Sequence, residues 1–218
     1  MTEPLKLIIF DLDGTLVDAY RAVSKSLNYA FNTMGLPLID DMTVQRNVGW
    51  GDSHLIEQFA PPNLVEQTLA IYREHHGQAL KSGTKFLPGV PELLQDLKRK
   101  NFLMAIASNR PSIFTEIILD NLAIRSYFAQ VVCADQVARP KPQPDMLNHI
   151  LRQLSLMPQQ ALYVGDMIID VETGQRANIR TVAVATGSST REELAALKPF
   201  NVVVQIRDIL PIIEDFGE

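Results

Sequence analysis

The chain of 218 residues has only one cysteine, Cys133, and only one tryptophan. A single cysteine excludes an internal disulfide framework and any CxxC redox or zinc motif. Positive charge is also scarce, because 20 lysines and arginines face 25 aspartates and glutamates, and the net charge is −5. Nucleic acid is therefore not an expected partner, since phosphate binding needs clustered lysine and arginine.

Long apolar runs are missing as well. No run approaches the ~20 residues that a membrane-spanning helix needs, and residues 1–10 include Glu3 and Pro4 and do not fit a signal peptide. The sequence therefore predicts a soluble, cytoplasmic protein without a membrane partner. Its content of 46% hydrophobic and 21% charged residues is typical of a globular chain. At ~150 residues per domain, its length predicts between one and two domains.

Apolar runs and amphipathic segments alternate over most of the chain. Residues 5–10 form a short apolar run that ends at Asp11, which predicts a buried strand. Further strands, each followed by a helical pattern, are predicted at residues 102–107, 130–133, 161–164, 181–185 and 202–204. Such alternation is typical of a parallel sheet with helices on both faces. We therefore predict an α/β fold built on a doubly wound parallel sheet.

A long segment between the first two predicted strands has helical spacing and no strand pattern. Apolar residues recur at helical intervals over residues 22–34, and further helices are predicted at residues 52–59 and 64–80. The pattern predicts two domains, an inserted all-α domain at residues 16–84 and a core domain at residues 1–15 and 85–218.

Polar side chains follow four of the predicted strands, at the edge where ligands bind in open α/β sheets. They are Asp11-Leu12-Asp13-Gly14-Thr15 after the first strand, Ser108-Asn109 after the second, Lys141 in the loop after the third, and Gly165-Asp166 after the fourth, with Asp170 one helical turn beyond. Carboxylates, a lysine and a hydroxyl group are thus expected to meet at one edge of the sheet.

Buried carboxylates at short distances repel one another unless a cation lies between them. Mg²⁺ prefers oxygen ligands, so Asp11 and Asp166 are predicted to bind it, with Asp170 as a further ligand or as a residue that orients one. The cluster contains no histidine or cysteine, which disfavours zinc. The sequence therefore predicts a magnesium site.

A phosphoryl group is the substrate that suits such a site. With Mg²⁺ bound, the charges of the three aspartates, the metal and Lys141 cancel, so a phosphoryl group is tolerated if hydrogen-bond donors surround it. Ser108, Asn109 and the loop amides supply donors, and Gly14 lets the backbone come close. Positioned donors and a metal are the usual means of catalysing phosphoryl transfer.

The spacing of Asp11 and Asp13 lets both carboxylates face a bound phosphate. One carboxylate can attack phosphorus and form an aspartyl phosphate. The other can protonate the leaving alkoxide and later accept a proton from the hydrolytic water. We assign Asp11 as the nucleophile and Asp13 as the general acid and base.

These segments resemble, in order, the four motifs of the haloacid dehalogenase superfamily. The matching segments are Asp11-Leu12-Asp13-Gly14-Thr15-Leu16-Val17-Asp18, Ser108-Asn109, Lys141-Pro142 and Gly165-Asp166-Met167-Ile168-Ile169-Asp170. The resemblance implies a Rossmann-like core, a C1-type helical cap and a layout similar to phosphoglycolate phosphatase-like members. It also implies that the backbone carbonyl of Asp13 binds Mg²⁺, that Thr15 supports the first loop, and that Ser108 and Lys141 hold the phosphoryl oxygens.

The resemblance further implies a Mg²⁺-dependent phosphatase for a small phosphate ester, with phosphoglycolate as the first substrate to test. A monomer or a homodimer is expected. Superfamily members that cleave carbon–halogen or carbon–phosphorus bonds do not keep an acid at the position of Asp13. Two alternatives stay open, a phosphomutase of the β-phosphoglucomutase kind and a non-enzymatic protein that accepts a phosphoryl group or binds a ligand. The cap and Asp13 argue against the second alternative.

The predicted cap contains one segment that suits contact with a substrate. Two glycines flank the only tryptophan in Asn47-Val48-Gly49-Trp50-Gly51-Asp52. This segment is predicted to close over the substrate, with Trp50 at its tip and Arg46 bound to a substrate carboxylate; a helix–helix turn with a packing tryptophan explains the pattern equally well. His75 and His76 are neighbours in a helix and diverge by ~100°, so they are predicted to be surface or packing residues.

Overall fold

A computed structural model describes residues 4–217 of the chain, and its eight strands are β1 (Leu7–Phe10), β2 (Val17–Asp18), β3 (Lys85–Phe86), β4 (Leu103–Ser108), β5 (Gln130–Cys133), β6 (Ala161–Gly165), β7 (Arg180–Val184) and β8 (Asn201–Val203). Six of these strands form one parallel sheet in the order β5-β4-β1-β6-β7-β8. Each strand predicted from the sequence occurs close to its expected bounds, and the predicted α/β fold with a doubly wound parallel sheet is confirmed.

The same part of the chain forms ten α-helices, which are α1 (Tyr20–Thr33), α2 (Asp41–Asn47), α3 (Asp52–Phe59), α4 (Val65–Gly83), α5 (Val90–Arg99), α6 (Ser112–Asn121), α7 (Asp145–Leu154), α8 (Ile168–Ala177), α9 (Arg191–Ala196) and α10 (Ile209–Glu214). Helix α2 has no counterpart in the sequence prediction, because Val44 is its only buried residue and no apolar periodicity results. Within residues 4–217, no helix combines the length and the apolar character needed to cross a bilayer.

Strand β1 lies at the centre of the sheet, and this position determines where the site forms. From β1 the chain builds β4 and β5 on one side and then β6, β7 and β8 on the other. Ile8 and Phe10 are buried on one face of the sheet, and Leu7 and Ile9 are buried on the other. Burial of each such side chain is worth ~1.5–3 kcal/mol, so the strand that precedes Asp11 is held from both faces. The reversal of strand order beside β1 opens a crevice at the carboxyl edge.

Helices α1 to α4 pack around a hydrophobic cluster of their own, which includes Leu27, Phe31, Ile56 and Tyr72. The chain leaves the core and returns to it through β2 and β3, which pair antiparallel as a two-stranded ribbon. Strands of two residues are too short to show an alternating apolar pattern, so the sequence does not predict this ribbon. The four helices lie where the cap domain is predicted, and the domain boundaries at residues 16 and 84 stay a prediction.

Candidate active site

Three aspartate side chains meet at the carboxyl edge of the sheet. Asp11, Asp166 and Asp170 each offer a carboxylate oxygen within 4.8 Å of the other two. Asp11 follows β1, Asp166 follows the neighbouring strand β6, and Asp170 lies in the first turn of α8. All three side chains are buried. The structure thus brings together the aspartates that the sequence predicts as one cluster.

Lys141 binds two of these aspartates. Its Nζ lies 2.6 Å from Oδ1 of Asp11 and 2.8 Å from Oδ1 of Asp170, and it donates to the hydroxyl of Tyr163 at 3.2 Å. The Tyr163 hydroxyl in turn donates to Oδ1 of Asp170 at 2.7 Å. Burial by itself lowers the pKa of Lys141, but Asp11 and Asp170 raise it above its usual range. The ammonium group therefore stays charged inside the cluster.

The cluster has more acidic than basic groups. With all three carboxylates ionised, one ammonium group would leave two negative charges in excess in a buried site. Burial raises the pKa of Asp11 to about 7 although Lys141 opposes this, and burial with Asp11 and Asp170 raises the pKa of Asp166 well above its usual range. A divalent cation balances the excess charge, and a donor set of carboxylate oxygens suits a hard cation such as Mg²⁺ better than zinc. The residues present therefore fit the predicted metal.

The Asp166 carboxylate is held by the first loop and by a loop after β7. Oγ1 of Thr15 donates to Oδ1 of Asp166 at 3.0 Å, and the backbone amide of Ser188 donates to Oδ2 at 3.0 Å. Gly14 has a positive φ of 82°, and a Cβ atom at Gly14 or at Gly187 would collide with this carboxylate. Gly14 and Thr15, both predicted as phosphate-binding residues, thus contact the Asp166 carboxylate.

Asp13 forms an ion pair with Arg110, a residue that no sequence motif singles out. Nε of Arg110 lies 2.8 Å from Oδ2 of Asp13, and Nη2 lies 2.8 Å from Oδ1. Only 7% of the arginine side chain and 11% of the aspartate side chain are exposed. Burial by itself lowers the pKa of Arg110, but Asp13 raises it above its usual range. A charged guanidinium group is thus held beside the predicted acid and base.

A chain of hydrogen bonds links Arg110 to the cap helices. Nη1 of Arg110 lies 2.7 Å from Nε2 of His76, and His76 accepts there because a guanidinium group cannot. The proton of the neutral ring is therefore on Nδ1, which donates to Oγ of Ser26 at 3.0 Å, and Ser26 donates to Nδ1 of His75 at 3.0 Å. His76, predicted as a surface or packing residue, is buried against Tyr72 and also orients Arg110.

Ser108 and Asn109 lie at the end of β4, where the sequence places them. Oγ of Ser108 accepts from the backbone amide of Arg110 at 3.2 Å. Oδ1 of Asn109 accepts from the amide of Lys141 at 3.0 Å, and Nδ2 donates to the Lys141 carbonyl at 3.1 Å. Nδ2 also donates to the carbonyl of Gly49 in the cap at 3.1 Å. Asn109 therefore fixes the backbone that carries Lys141 and ties it to the cap.

A small cavity of about 40 Å³ lies between the core and the cap. Asp11, Asp13, Ser108 and Arg110 line it from the core. The cap contributes a mostly apolar wall that includes Val23, Val48, Leu55 and Tyr72 together with Gly49 and Gly51, and also the polar side chains of Asp52 and His76. The predicted nucleophile and the predicted acid and base therefore line one partly open space beneath the cap.

Two cap residues predicted to contact the substrate lie outside the walls of this cavity. The Arg46 side chain is 55% exposed, and its Nη1 lies 3.4 Å from the carbonyl of Ser188 and 3.7 Å from Oε2 of Glu193. Trp50 is 38% exposed, and its ring lies 5.7 Å from that of His54. In this structure, Arg46 and Trp50 are therefore not brought to the carboxylates.

Four residues of the site are not predicted from the sequence as site residues. Tyr163 lies inside a strand and has the pattern of a core aromatic residue, and Ser188 lies in a loop without a motif. Arg110 directly follows Ser108-Asn109, so a cation beside a predicted phosphate-binding pair is the one signal that identifies it. His76 has no such signal, because its contact with Arg110 depends on how the cap lies over the core.

The protein has the architecture of a capped hydrolase with a Rossmann-like core. The carboxylate–lysine cluster lies at the carboxyl edge of the sheet, and the cap helices lie over a small cavity. A model of the haloacid dehalogenase-like hydrolase family matches residues 8–184 of the chain. The chain therefore belongs to the haloacid dehalogenase-like hydrolase family, and the resemblance seen in the four motifs is confirmed.

Known relatives are similar over nearly the whole chain. A phosphoglycolate phosphatase from Aquifex aeolicus is 32% identical over 84% of this chain and 86% of its own length. The pyrophosphatase PpaX from Oceanobacillus iheyensis is 27% identical over 97% of this chain and 98% of its own. The crystal structure of a predicted phosphoglycolate phosphatase from Haemophilus somnus superposes with a TM-score of 0.89 at 25% identity, covering 95% of this chain and 97% of that one. The predicted enzyme class, a phosphoric monoester hydrolase, is confirmed.

Proposed function

We propose that the chain is a Mg²⁺-dependent phosphatase that hydrolyses a small phosphate ester, first of all 2-phosphoglycolate, through an aspartyl phosphate on Asp11. The observation that carries the proposal is the 2.6 Å contact of Asp11 with Lys141 beside Asp166 and Asp170. The similar proteins named phosphoglycolate phosphatase support the choice of substrate. The relative named pyrophosphatase makes pyrophosphate the second substrate to test.

Asp11, Asp166 and the backbone carbonyl of Asp13 are the groups that would hold the cation, with Asp170 as a further ligand or as the residue that keeps Lys141 in place. Bound Mg²⁺ supplies positive charge that offsets the charge of the phosphoryl oxygens. Lys141 adds a fixed positive charge of its own and holds the Asp11 carboxylate in one orientation. Ser108 supplies a hydroxyl group that lines the cavity between the core and the cap, as Asp11 does.

The reaction has two steps at phosphorus. In the first, a carboxylate oxygen of Asp11 attacks phosphorus, the bond to the leaving-group oxygen breaks, and that oxygen takes a proton from Asp13. In the second, water attacks the aspartyl phosphate and gives a proton to Asp13, which releases inorganic phosphate and restores Asp11. The apolar cap wall limits the access of other water molecules.

The test is hydrolysis of 2-phosphoglycolate, pyrophosphate and p-nitrophenyl phosphate by the purified chain, with Mg²⁺ and with EDTA. We expect many turnovers with Mg²⁺ and none with EDTA. Asp11→Asn removes the nucleophile and should lower kcat by at least ~10⁴-fold. Asp120→Asn, which changes an exposed aspartate of α6, is the matched control and should keep full activity. Release of a single phosphate per chain without turnover would contradict the proposal and favour a phospho-acceptor protein.

A further inference from the structure

Arg110 is a buried cation at the cavity that the proposed reaction does not use. We infer that Arg110 binds a second anionic group of the substrate, a carboxylate or a phosphate on the leaving-group side. The protein would then prefer small phosphoryl compounds whose leaving group is itself an anion. This inference rests on the proposed function, because it adds a specificity-determining residue to the site centred on Asp11.

The position of Arg110 suits such a role. Its side chain lines the same cavity as Asp11 and Asp13, yet only 8% of the residue is exposed. Burial of a charged group costs several kcal/mol unless partners compensate it. Here Asp13 accepts two hydrogen bonds from the guanidinium group and His76 accepts a third. The core and the cap thus both contribute to keeping a permanent cation at this place.

The guanidinium group has donors left over. It carries five N–H groups, and the three hydrogen bonds to Asp13 and His76 use one on Nε, one on Nη1 and one on Nη2. Within residues 4–217, the remaining N–H on Nη1 and the remaining N–H on Nη2 have no further acceptor. These two N–H groups are left to donate to the oxygens of a carboxylate or of a phosphate.

The cavity contains one fixed cation among acidic groups. Of the described residues that line it, only Arg110 carries a permanent positive charge, and it lies beside the carboxylates of Asp11, Asp13 and Asp52. An anionic leaving group that enters therefore has one cationic partner there, while an uncharged polar group gains less.

Arg46 is the competing residue for this role, since it is predicted from the sequence to bind a substrate carboxylate. Its guanidinium group lies against Ser188 and Glu193, and more than half of the side chain is exposed. An exposed, solvated ion pair contributes little to binding. The observed placement therefore favours Arg110, which lines the cavity, over Arg46, which does not.

The two activities named among the relatives share the chemistry that Arg110 would recognise. Glycolate, the leaving group of 2-phosphoglycolate, carries a carboxylate, and the leaving group of pyrophosphate is a phosphate. Both present two or more oxygens of an anion a short distance from the phosphorus that is attacked. Comparing kcat/KM for the two substrates shows which anion the chain prefers.

The experiment measures kcat/KM with Mg²⁺ for 2-phosphoglycolate, pyrophosphate and ethyl phosphate, which has the two carbons of phosphoglycolate without the carboxylate. The variants are Arg110→Gln and Arg110→Lys. The matched control is Arg125→Gln, which removes an exposed arginine paired with Glu116. The quantity compared is the ratio of kcat/KM for an anionic substrate to that for ethyl phosphate. Differences in the intrinsic reactivity of the esters cancel when this ratio is compared between variants.

We expect the wild-type chain to favour at least one anionic substrate over ethyl phosphate by ~100-fold, which corresponds to two charged hydrogen bonds. Arg110→Gln should lower this ratio by ~30-fold or more, chiefly through the anionic substrate. Arg110→Lys keeps the charge but loses the planar pair of donors, so the ratio should fall by a smaller factor. Arg125→Gln should leave the ratio at the wild-type value.

Three results would overturn the inference. One is a wild-type chain that hydrolyses ethyl phosphate as well as both anionic substrates. Another is an equal fall for all substrates in Arg110→Gln and in Arg110→Lys, which would mean that Arg110 acts only by holding Asp13. The third is loss of the preference in Arg125→Gln. If Arg110→Gln does not fold, the inference is still tested by the substrate ratio of the wild-type chain and by the change of that ratio in Arg110→Lys. A chain that hydrolyses none of these compounds and not p-nitrophenyl phosphate contradicts the proposed function instead.

Discussion

Nζ of Lys141 lies 2.6 Å from Oδ1 of Asp11, although the two residues are 130 positions apart in the sequence. The same ammonium group lies 2.8 Å from Oδ1 of Asp170, so one cation holds carboxylates that come from β1 and from α8. Asn109 in turn fixes the backbone of Lys141 from the end of β4. Elements on both sides of β1 thus determine the orientation of the proposed nucleophile.

Replacement of Lys141 by methionine keeps the length of the side chain and removes its charge. Transition-state stabilisation should then fall, and we expect kcat/KM for 2-phosphoglycolate to decrease by ~10²–10³-fold. The free energy of unfolding should also fall by about 3 kcal/mol, because Asp11 and Asp170 lose a buried partner. Steady-state kinetics and urea unfolding measure the two effects.

Lys100→Met is the control for Lys141→Met. Lys100 lies on the surface, where it pairs with Glu214 at 2.8 Å. Exposed pairs are worth no more than ~1 kcal/mol, so this variant should keep the wild-type kcat/KM. Wild-type kinetics in Lys141→Met would show that the lysine has no part in the reaction.

The two aspartates at Asp13 and Asp166 should differ in what they do for Mg²⁺. Asp166→Asn removes a proposed ligand, and we expect Mg²⁺ affinity to fall by more than ~100-fold. Asp13→Asn keeps the backbone carbonyl that is the proposed ligand, so affinity should stay within ~10-fold of the wild type while kcat falls. Isothermal titration calorimetry with Mg²⁺ measures both affinities. Equal losses of affinity in the two variants would refute this division of roles.

The core of the site could be predicted because its residues follow strands with clear apolar patterns. Leu7 to Phe10 and Ala161 to Gly165 are apolar runs that can only be buried, and parallel neighbours bring their carboxyl ends together. The positions of Asp11 and Asp166 in space then follow from the positions of the strands in the sequence. Because both aspartates directly follow neighbouring strands, the cluster predicted from the sequence is present in the structure.

The contacts between the cap and the core could not be predicted in the same way. Arg110 and His76 are 34 positions apart and belong to different units of the chain, and no periodicity relates them. Their contact depends on the angle at which α4 lies over the end of β4, which local patterns do not encode. For the same reason the exposed position of Arg46 and the burial of His76 emerge only from the assembled structure.

His76 should make the stability of the chain depend on pH. Burial, and then the charges of Arg110 and His75, lower the pKa of His76 to about 2 in the folded protein. Its pKa in the unfolded chain is ~6.5, so below that pH the unfolded state binds a proton that the folded state does not. Stability contributed by the neutral ring is present above pH ~6.5 and is lost as the pH falls.

His76→Gln removes this titration and keeps an acceptor for Arg110. Between pH 7 and pH 5, the wild-type chain should lose ~2 kcal/mol of unfolding free energy relative to His76→Gln. Urea unfolding of both proteins at fixed Mg²⁺ measures the difference, and titrations common to both proteins cancel. Parallel stability curves over this range would show that the pKa of His76 is not lowered in the folded protein.

Gly187 is predicted to set the position of the Asp166 carboxylate, because the lack of a side chain at Gly187 leaves room for it. A Cβ atom at Gly187 would collide with Oδ2 of Asp166, which accepts from the amide of Ser188 in the next position. Gly187→Ala should therefore displace the Asp166 carboxylate from the position seen here. Since changes around a metal ligand cost ~10–100-fold in affinity, we expect a loss of Mg²⁺ affinity in that range.

The matched control is Gly77→Ala in α4. Its Cβ atom would meet only the end of the Ile117 side chain at 3.3 Å, and alanine is the better helix former by ~1 kcal/mol. This variant should bind Mg²⁺ like the wild type and unfold at an equal or higher urea concentration. Calorimetric titration with Mg²⁺ and far-UV circular dichroism on both variants separate a displaced carboxylate from a disturbed fold. Unchanged Mg²⁺ affinity in Gly187→Ala would show that Asp166 does not bind the metal in the orientation seen here.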